Sequence, residues 1–135
     1  MTPDPVLVLL LVEDEVLIQD LLDDVLAEAG FSLVIAKSGQ EALAELDADA
    51  ARFRAVITDI RLGEGPHGWD VGRHARELVP TMPVIYMSGD SGADWASKGV
   101  PNSLMIPKPF AGAQMVTAVA TLMNAAASAA PPAAA

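Results

Sequence analysis

Aliphatic runs alternate with amphipathic stretches along this chain. Val6 to Val12 is a continuous apolar run, the type of strand buried on both faces of a parallel sheet. Glu15 to Ala29 follows, with Leu17, Ile18, Leu21, Leu22, Val25, Leu26 and Ala29 forming one helical stripe, and Gly30 stands where a helix C-cap belongs. Ser32 to Ala36 reads as a short strand. Ser38-Gly39-Gln40-Glu41 fits a capping box and opens a helix through Leu43 and Leu46. Ala55 to Asp59 is a third strand, Gly63 to Gly68 a loop, and Trp69 to Val79 a helix ended by Pro80. Pro83 to Ser88 is a fourth strand, Asp90 to Lys98 a short helix, Ser103 to Ile106 a fifth strand, and Ala111 to about Ala127 a last helix. Five strands alternating with five helices predict an α/β fold. It is a doubly wound parallel sheet in the flavodoxin-like order 2-1-3-4-5, with helices on both faces. In such sheets ligand chemistry gathers at the carboxyl ends of the strands.

The 135 residues suffice for one folded unit. Residues 1–5, with two prolines, read as a lead-in, and residues 128–135 as an Ala/Pro-rich tail expected to be disordered. The absence of Cys excludes a disulfide framework, a thiolate zinc site and a Cys nucleophile. Eight Lys and Arg stand against 18 Asp and Glu, giving a net charge of -10 that repels a nucleic-acid backbone. The run from Val6 is too short to span a bilayer and has no basic segment before it, so neither a membrane span nor a signal peptide is expected. These features point to the cytoplasm.

The strand ends carry the chemistry. The first ends in Glu13-Asp14, the third in Asp59, the fourth in Ser88-Gly89, and the fifth runs into Lys108-Pro109. The first and third strands are neighbours in the expected order, so three carboxylates converge. Their repulsion is relieved by protonation or by a cation, and without Cys or His at these ends a hard, oxygen-liking ion such as Mg²⁺ is the reasonable one. Lys108 supplies a fixed positive charge, Ser88 a hydroxyl, and Gly89 a closely approachable backbone N–H, which together describe a phosphoryl site. Each part alone has a plainer reading: Asp14 and Glu15 suit a helix N-terminus, and Ser88-Gly89 is a common turn. The weight lies in four strand ends bearing the right types in one chain.

Leu11-Val12-Glu13-Asp14-Glu15, Val56-Ile57-Thr58-Asp59, Val84-Ile85-Tyr86-Met87-Ser88-Gly89 and Pro107-Lys108-Pro109-Phe110 resemble the motifs of the response-regulator receiver domain. The resemblance covers roughly Val6 to Asn124, within a receiver unit expected over residues 6–127. It implies that Asp59 is the phosphoacceptor, taking its phosphoryl group from a histidine kinase or a histidine phosphotransfer protein. It implies that Asp14 and Asp59 ligate Mg²⁺ directly, Glu13 through water, and Arg61 through its carbonyl. Lys108, Ser88 and the Gly89 N–H would hold the phosphoryl group, Ser88 would move on activation, and Lys108-Pro109 would be a cis peptide. The chain would be a switch acting through a separate partner protein, not an enzyme with an external substrate.

The chain also departs from the pattern. The aromatic residue that the family carries three positions before the strand-five Lys is here Met105, which either repacks on phosphorylation or simply fills volume. The loop after Asp59 is one residue longer than the common form and lacks the Pro usual four residues after the phosphoacceptor. Arg61 and Asp90 occupy positions that tune phosphoryl lifetime in the family; they either pair across the site or both face solvent. His67 and His74 lack metal-ligand neighbours, and Trp69 and Trp95 read as helix packing. No charged side chain follows Lys108, so the outer face of the last helix is uncharged. The resemblance implies that the fourth helix, fifth strand and fifth helix form the partner face, which would then serve a homodimer or another partner through an apolar contact. Two other functions fit less well. A phosphohydrolase with an Asp nucleophile wants an acid where Arg61 stands. A flavin module wants a Ser/Thr-rich loop where Glu13-Asp14-Glu15 stand. A degenerate receiver serving only as a phosphorylation-independent binding module is the remaining alternative.

Overall fold

The computed structural model describes residues 7–90 and 92–129. Its elements are β1 (Leu7–Val12), α1 (Val16–Glu28), β2 (Phe31–Ala36), α2 (Gly39–Asp49), β3 (Phe53–Asp59), α3 (Gly68–Leu78), β4 (Val84–Ser88), α4 (Trp95–Lys98), β5 (Leu104–Pro107) and α5 (Gly112–Ala129). Single 3₁₀ turns precede β3 and α4. The lead-in, Val6 and the tail beyond 129 lie outside the described residues.

The five strands form one parallel sheet in the order β2-β1-β3-β4-β5, as the alternation of elements predicts. Strand residues alternate between two cores. Leu10, Val12, Val56 and Tyr86 face α2 and α3, where Leu46, Trp69, Val71 and Ala75 close over them. Leu9, Leu11, Ile57, Ile85 and Met87 face α1 and α5, against Leu22, Leu26, Met115 and Val119. Burial on both faces explains the unbroken aliphatic runs, and each such side chain contributes about 1.5–3 kcal/mol on leaving water. Register aligns the strand ends. Val12 pairs with Thr58, Thr58 with Tyr86, and Tyr86 with Met105, so Glu13 follows at the level of Asp59.

Several boundaries and faces differ from expectation. The α1 stripe is narrower: Leu22 and Leu26 are buried and Ile18 and Val25 half-buried, but Leu17 and Leu21 are exposed at 83% and 41%. Those two lie on the flank of the face that meets the sheet. Ala29 is also exposed, and Gly30 follows with φ +99°, the left-handed conformation that ends the helix. In the α2 capping box Ser38 Oγ accepts the Glu41 N–H at 3.1 Å, but the Glu41 carboxylate reaches the N–H of Lys37 (3.1 Å) rather than that of Ser38. The expected helix over 90–98 contracts to a 3₁₀ turn and the four residues of α4. α5 runs two residues past Ala127, through the first residues of the expected tail.

Candidate functional site

Four strand ends and their following loops build one cleft at the carboxyl edge of the sheet. β1 delivers Glu13 and Asp14, β3 Asp59, β4 Ser88 and β5 Lys108. The Lys108 N–H donates to the Ser88 carbonyl (2.7 Å), which ties the ends of β5 and β4, and the Lys108–Pro109 peptide is cis. Lys108 Nζ lies 2.9 Å from Glu13 Oε1 and 3.2 Å from Asp59 Oδ2. Glu13, Asp14 and Asp59 each offer a carboxylate oxygen within 4.8 Å of the others. The convergence read from the strand ends is therefore present.

The three acids sit in different surroundings. Glu13 is fully buried. Its Oε2 accepts the N–H groups of Asp14 (3.0 Å) and Glu15 (3.2 Å), its own N–H donates to the Ala36 carbonyl (3.0 Å), and its carbonyl accepts from Gln19 Nε2 (2.7 Å). Asp59 is buried, with Oδ1 accepting the Ile60 N–H at 2.8 Å. Asp14 is exposed, and its carboxylate accepts no hydrogen bond among the described residues. Burial pushes the Glu13 carboxyl up to about 7, opposed by its hydrogen bonds to Lys108 and the Glu15 N–H and assisted by the charge of Asp59. Burial also raises Asp59, against the pull of Lys108 and the Ile60 N–H and with a push from Asp14. Burial alone would lower Lys108, but its bond to Glu13 and the fields of Asp59 and Glu13 hold it above the usual lysine range. One lysine thus faces three acids, and the negative charge left over fits a cation. The donors are all oxygens, which suits a hard divalent ion.

The remaining expected residues surround this centre. Ser88 is buried, and its Oγ accepts the Asp90 N–H at 3.1 Å. The Cβ direction of Gly89 meets open space, so the backbone there is approachable. Arg61 and Asp90 do pair, at 3.2 Å, yet their side chains stay 74% and 60% exposed, so both readings of these residues hold in part. Met105 is half-buried on the α2/α3 side, opposite Tyr86. Tyr86 is fully buried against Trp69, with ring centroids 4.8 Å apart, and its hydroxyl accepts the Val100 N–H at 3.1 Å. Ser103 Oγ donates to the Val100 carbonyl (2.6 Å) and accepts from Trp95 Nε1 (2.9 Å). Both tryptophans are therefore packing residues, and α4 is held to the start of β5 through Trp95. His74 pairs with Asp47 across α2 and α3 at 2.6 Å, and His67 caps the start of α3, its side chain accepting from the Asp70 backbone and its N–H donating to the Asp70 carboxylate at 2.9 Å.

Two contributors escape the sequence reading. Gln19 sits in an otherwise apolar helix face, and a single amide there signals nothing by itself. Gly68 closes the loop after Asp59: its N–H donates to the Ile60 carbonyl (2.8 Å), and a Cβ would lie 2.2 Å from the Asp59 carbonyl oxygen. Only glycine allows that approach; its place at the end of a Gly-rich loop was the available signal.

Fold and cleft together define an open α/β domain with an acidic site suited to a phosphoryl group and a cation. The response regulator receiver domain family matches residues 9–120, and the chain belongs to that family. Its sequence is 32% identical over 108 residues to the C4-dicarboxylate transport transcriptional regulatory protein DctD of Rhizobium meliloti (strain 1021), covering 78% of this chain and 23% of DctD. It is 30% identical over 118 residues to the transcriptional regulatory protein CusR of Escherichia coli (strain K12), covering 86% of this chain and 51% of CusR. The chain thus spans about half or less of the curated relatives it matches. A response regulator receiver protein from Sinorhizobium medicae WSM419 superposes with a TM-score of 0.86 at 42% identity, over 90% of this chain and 97% of that one. The receiver domain of sensor histidine kinase PA1611 from Pseudomonas aeruginosa PAO1 was solved with a magnesium ion coordinated in its active-site cleft. It shares the fold at a TM-score of 0.76 and 20% identity, over 89% of this chain and 99% of that one. Among the described residues no helix is long and apolar enough to cross a membrane.

Proposed function

We propose that this chain is a phosphorylation-operated signalling switch in which Asp59 accepts a phosphoryl group from a phosphohistidine. The observation that carries this is Lys108 bonded to both Glu13 and Asp59, with Asp14 beside them. An Asp59 carboxylate oxygen attacks phosphorus in line, the P–N bond breaks, and its electron pair leaves with the imidazole, giving an acyl phosphate. Mg²⁺, held by Asp14, Asp59, the Arg61 carbonyl and Glu13 through water, would supply charge neutralisation at the phosphoryl oxygens. Lys108 turns its ammonium from the free carboxylates to the phosphoryl group. The Ser88 hydroxyl, whose oxygen accepts the Asp90 N–H, and the N–H of Gly89, whose Cβ direction meets open space, would donate to the phosphoryl group as well. Hydrolysis of the acyl phosphate returns the carboxylate, so the chain modifies itself and turns over no external substrate. A phosphohydrolase has less support, because Arg61 faces Asp90 where that chemistry wants an acid.

The partners follow from the surface. Exposed Val16, Leu17 and Leu21 adjoin Asp14 and are flanked by Glu15, Asp20 and Asp24, which suits a phosphohistidine-bearing helix with an apolar stripe and basic flanks. The uncharged surface of β5 and α5 suits a downstream protein or a second copy of this chain, in the cytoplasm. To test the function, the protein is incubated with a radiolabelled small phosphoryl donor and Mg²⁺. Label released by hydroxylamine and absent from Asp59→Asn supports the reading; hydroxylamine-resistant label, or none, overturns it. Sedimentation with and without the donor tests the second copy, and a strictly monomeric phosphorylated protein removes it.

A further inference from the structure

We infer that Gln19 is a positioning residue that sets the direction of Asp14 toward the cation before the cation arrives. The inference rests on the proposed metal-dependent function and goes beyond it. The peptide joining Glu13 to Asp14 is held at both ends. Its carbonyl accepts from Gln19 Nε2 at 2.7 Å, and its N–H donates to Glu13 Oε2 at 3.0 Å. A peptide unit is planar, so fixing both polar groups fixes that plane, and the Glu15 N–H, which also donates to Glu13 Oε2 at 3.2 Å, holds the next one. With the peptides on both sides of its Cα held, the Cα–Cβ direction of Asp14 is set.

No bond from its own carboxylate orients that side chain. The Asp14 carboxylate is exposed and accepts no hydrogen bond among the described residues, whereas Glu13 and Asp59 are each locked by Lys108 and by backbone N–H groups. Gln19 is itself well held. It is 7% exposed, on the same α1 face as Leu22 and Leu26, and its backbone N–H donates to the Glu15 carbonyl at 3.0 Å. A buried amide on a packed helix is a stiff support for the loop. A leucine would complete the apolar face of α1 but would leave the Glu13 carbonyl without this donor.

The test compares Gln19→Met, which keeps the volume without the donor, and Gln19→Arg, which keeps a donor of sufficient reach. Mg²⁺ affinity is read from amide chemical shifts without any phosphoryl donor, and phosphoryl uptake is then measured across Mg²⁺ concentrations. Loss of such a support around a metal ligand typically weakens binding by about 10- to 100-fold. Gln19→Met is expected to bind Mg²⁺ about tenfold more weakly, to require more Mg²⁺ for half-maximal uptake, and to reach the wild-type rate at saturation. Gln19→Arg is expected to restore most of the affinity. Wild-type affinity in Gln19→Met, or equally weak binding in both variants, overturns the positioning role while the wild type still binds Mg²⁺ and takes up phosphate. If the wild type itself shows no Mg²⁺ binding, the underlying reading fails and the inference with it.

Discussion

Replacing Lys108 by Met separates charge from packing at the centre of the cleft. The lysine lies 2.9 Å from the fully buried Glu13 and 3.2 Å from Asp59, and its side chain is 17% exposed. Removing one partner of a buried ion pair ordinarily costs about 3–5 kcal/mol, because the other charge is left behind. Glu13 has an escape, since its carboxyl already titrates near 7 and can take up a proton. Its folded-state value lies above the ordinary 4.5, so its contribution to stability is complete below about 4.5 and is lost as pH rises through 7. Without Lys108 the folded value rises further, and the loss extends to higher pH. In metal-free buffer, urea unfolding of Lys108→Met against wild type is expected to show a deficit of about 3 kcal/mol at pH 8. At pH 5, where Glu13 is protonated in both proteins, the bond to Asp59 and the packed stem remain, and the deficit is expected to shrink to about 1–2 kcal/mol. Mg²⁺ at pH 8 should recover part of the difference. Equal deficits at both pH values would refute the electrostatic account and make Lys108 a packing residue.

Tyr86→Phe leaves the buried Val100 N–H without its acceptor and is expected to lower stability by about 1–3 kcal/mol in thermal or urea unfolding, while phosphoryl uptake stays intact. Arg61→Ala breaks an exposed pair, so unfolding should change by less than about 1 kcal/mol. Its dephosphorylation rate should nevertheless rise if the pair restricts the approach of water to Asp59; an unchanged rate contradicts that role. Leu17→Ser removes an exposed apolar side chain and should leave stability within about 0.5 kcal/mol. Transfer from a phosphohistidine protein should slow in this variant while uptake from a small donor does not.

The sheet was legible where the physics is one-dimensional. β1, β3 and β4 announce themselves as aliphatic runs because both their faces are covered, and the acids and the lysine stand out because they interrupt those runs at strand ends. What depends on three-dimensional packing was hidden. An apolar residue on the flank of a helical stripe cannot be assigned to core or solvent from spacing, and Leu17 and Leu21 fall outside the contact with the sheet. The 90–98 segment carries helix-compatible residues, but glycines at 89, 92 and 99 and the pull of Trp95 toward Ser103 leave only one α-helical turn. In the α2 capping box the glutamate found the neighbouring N–H, a choice the four-residue pattern does not distinguish. Within the site, Glu13, Asp14, Asp59 and Lys108 were readable by type and position. Gln19 and the Gly68 approach were not, because each acts on a backbone carbonyl and neither leaves a pattern of side-chain types.

The most direct test of the central claim is the intact mass of the protein after incubation with acetyl phosphate and Mg²⁺. The account expects one phosphoryl adduct on the wild type, absent without Mg²⁺ and absent from Asp59→Asn. No adduct on the wild type, or one that persists in Asp59→Asn, would contradict it.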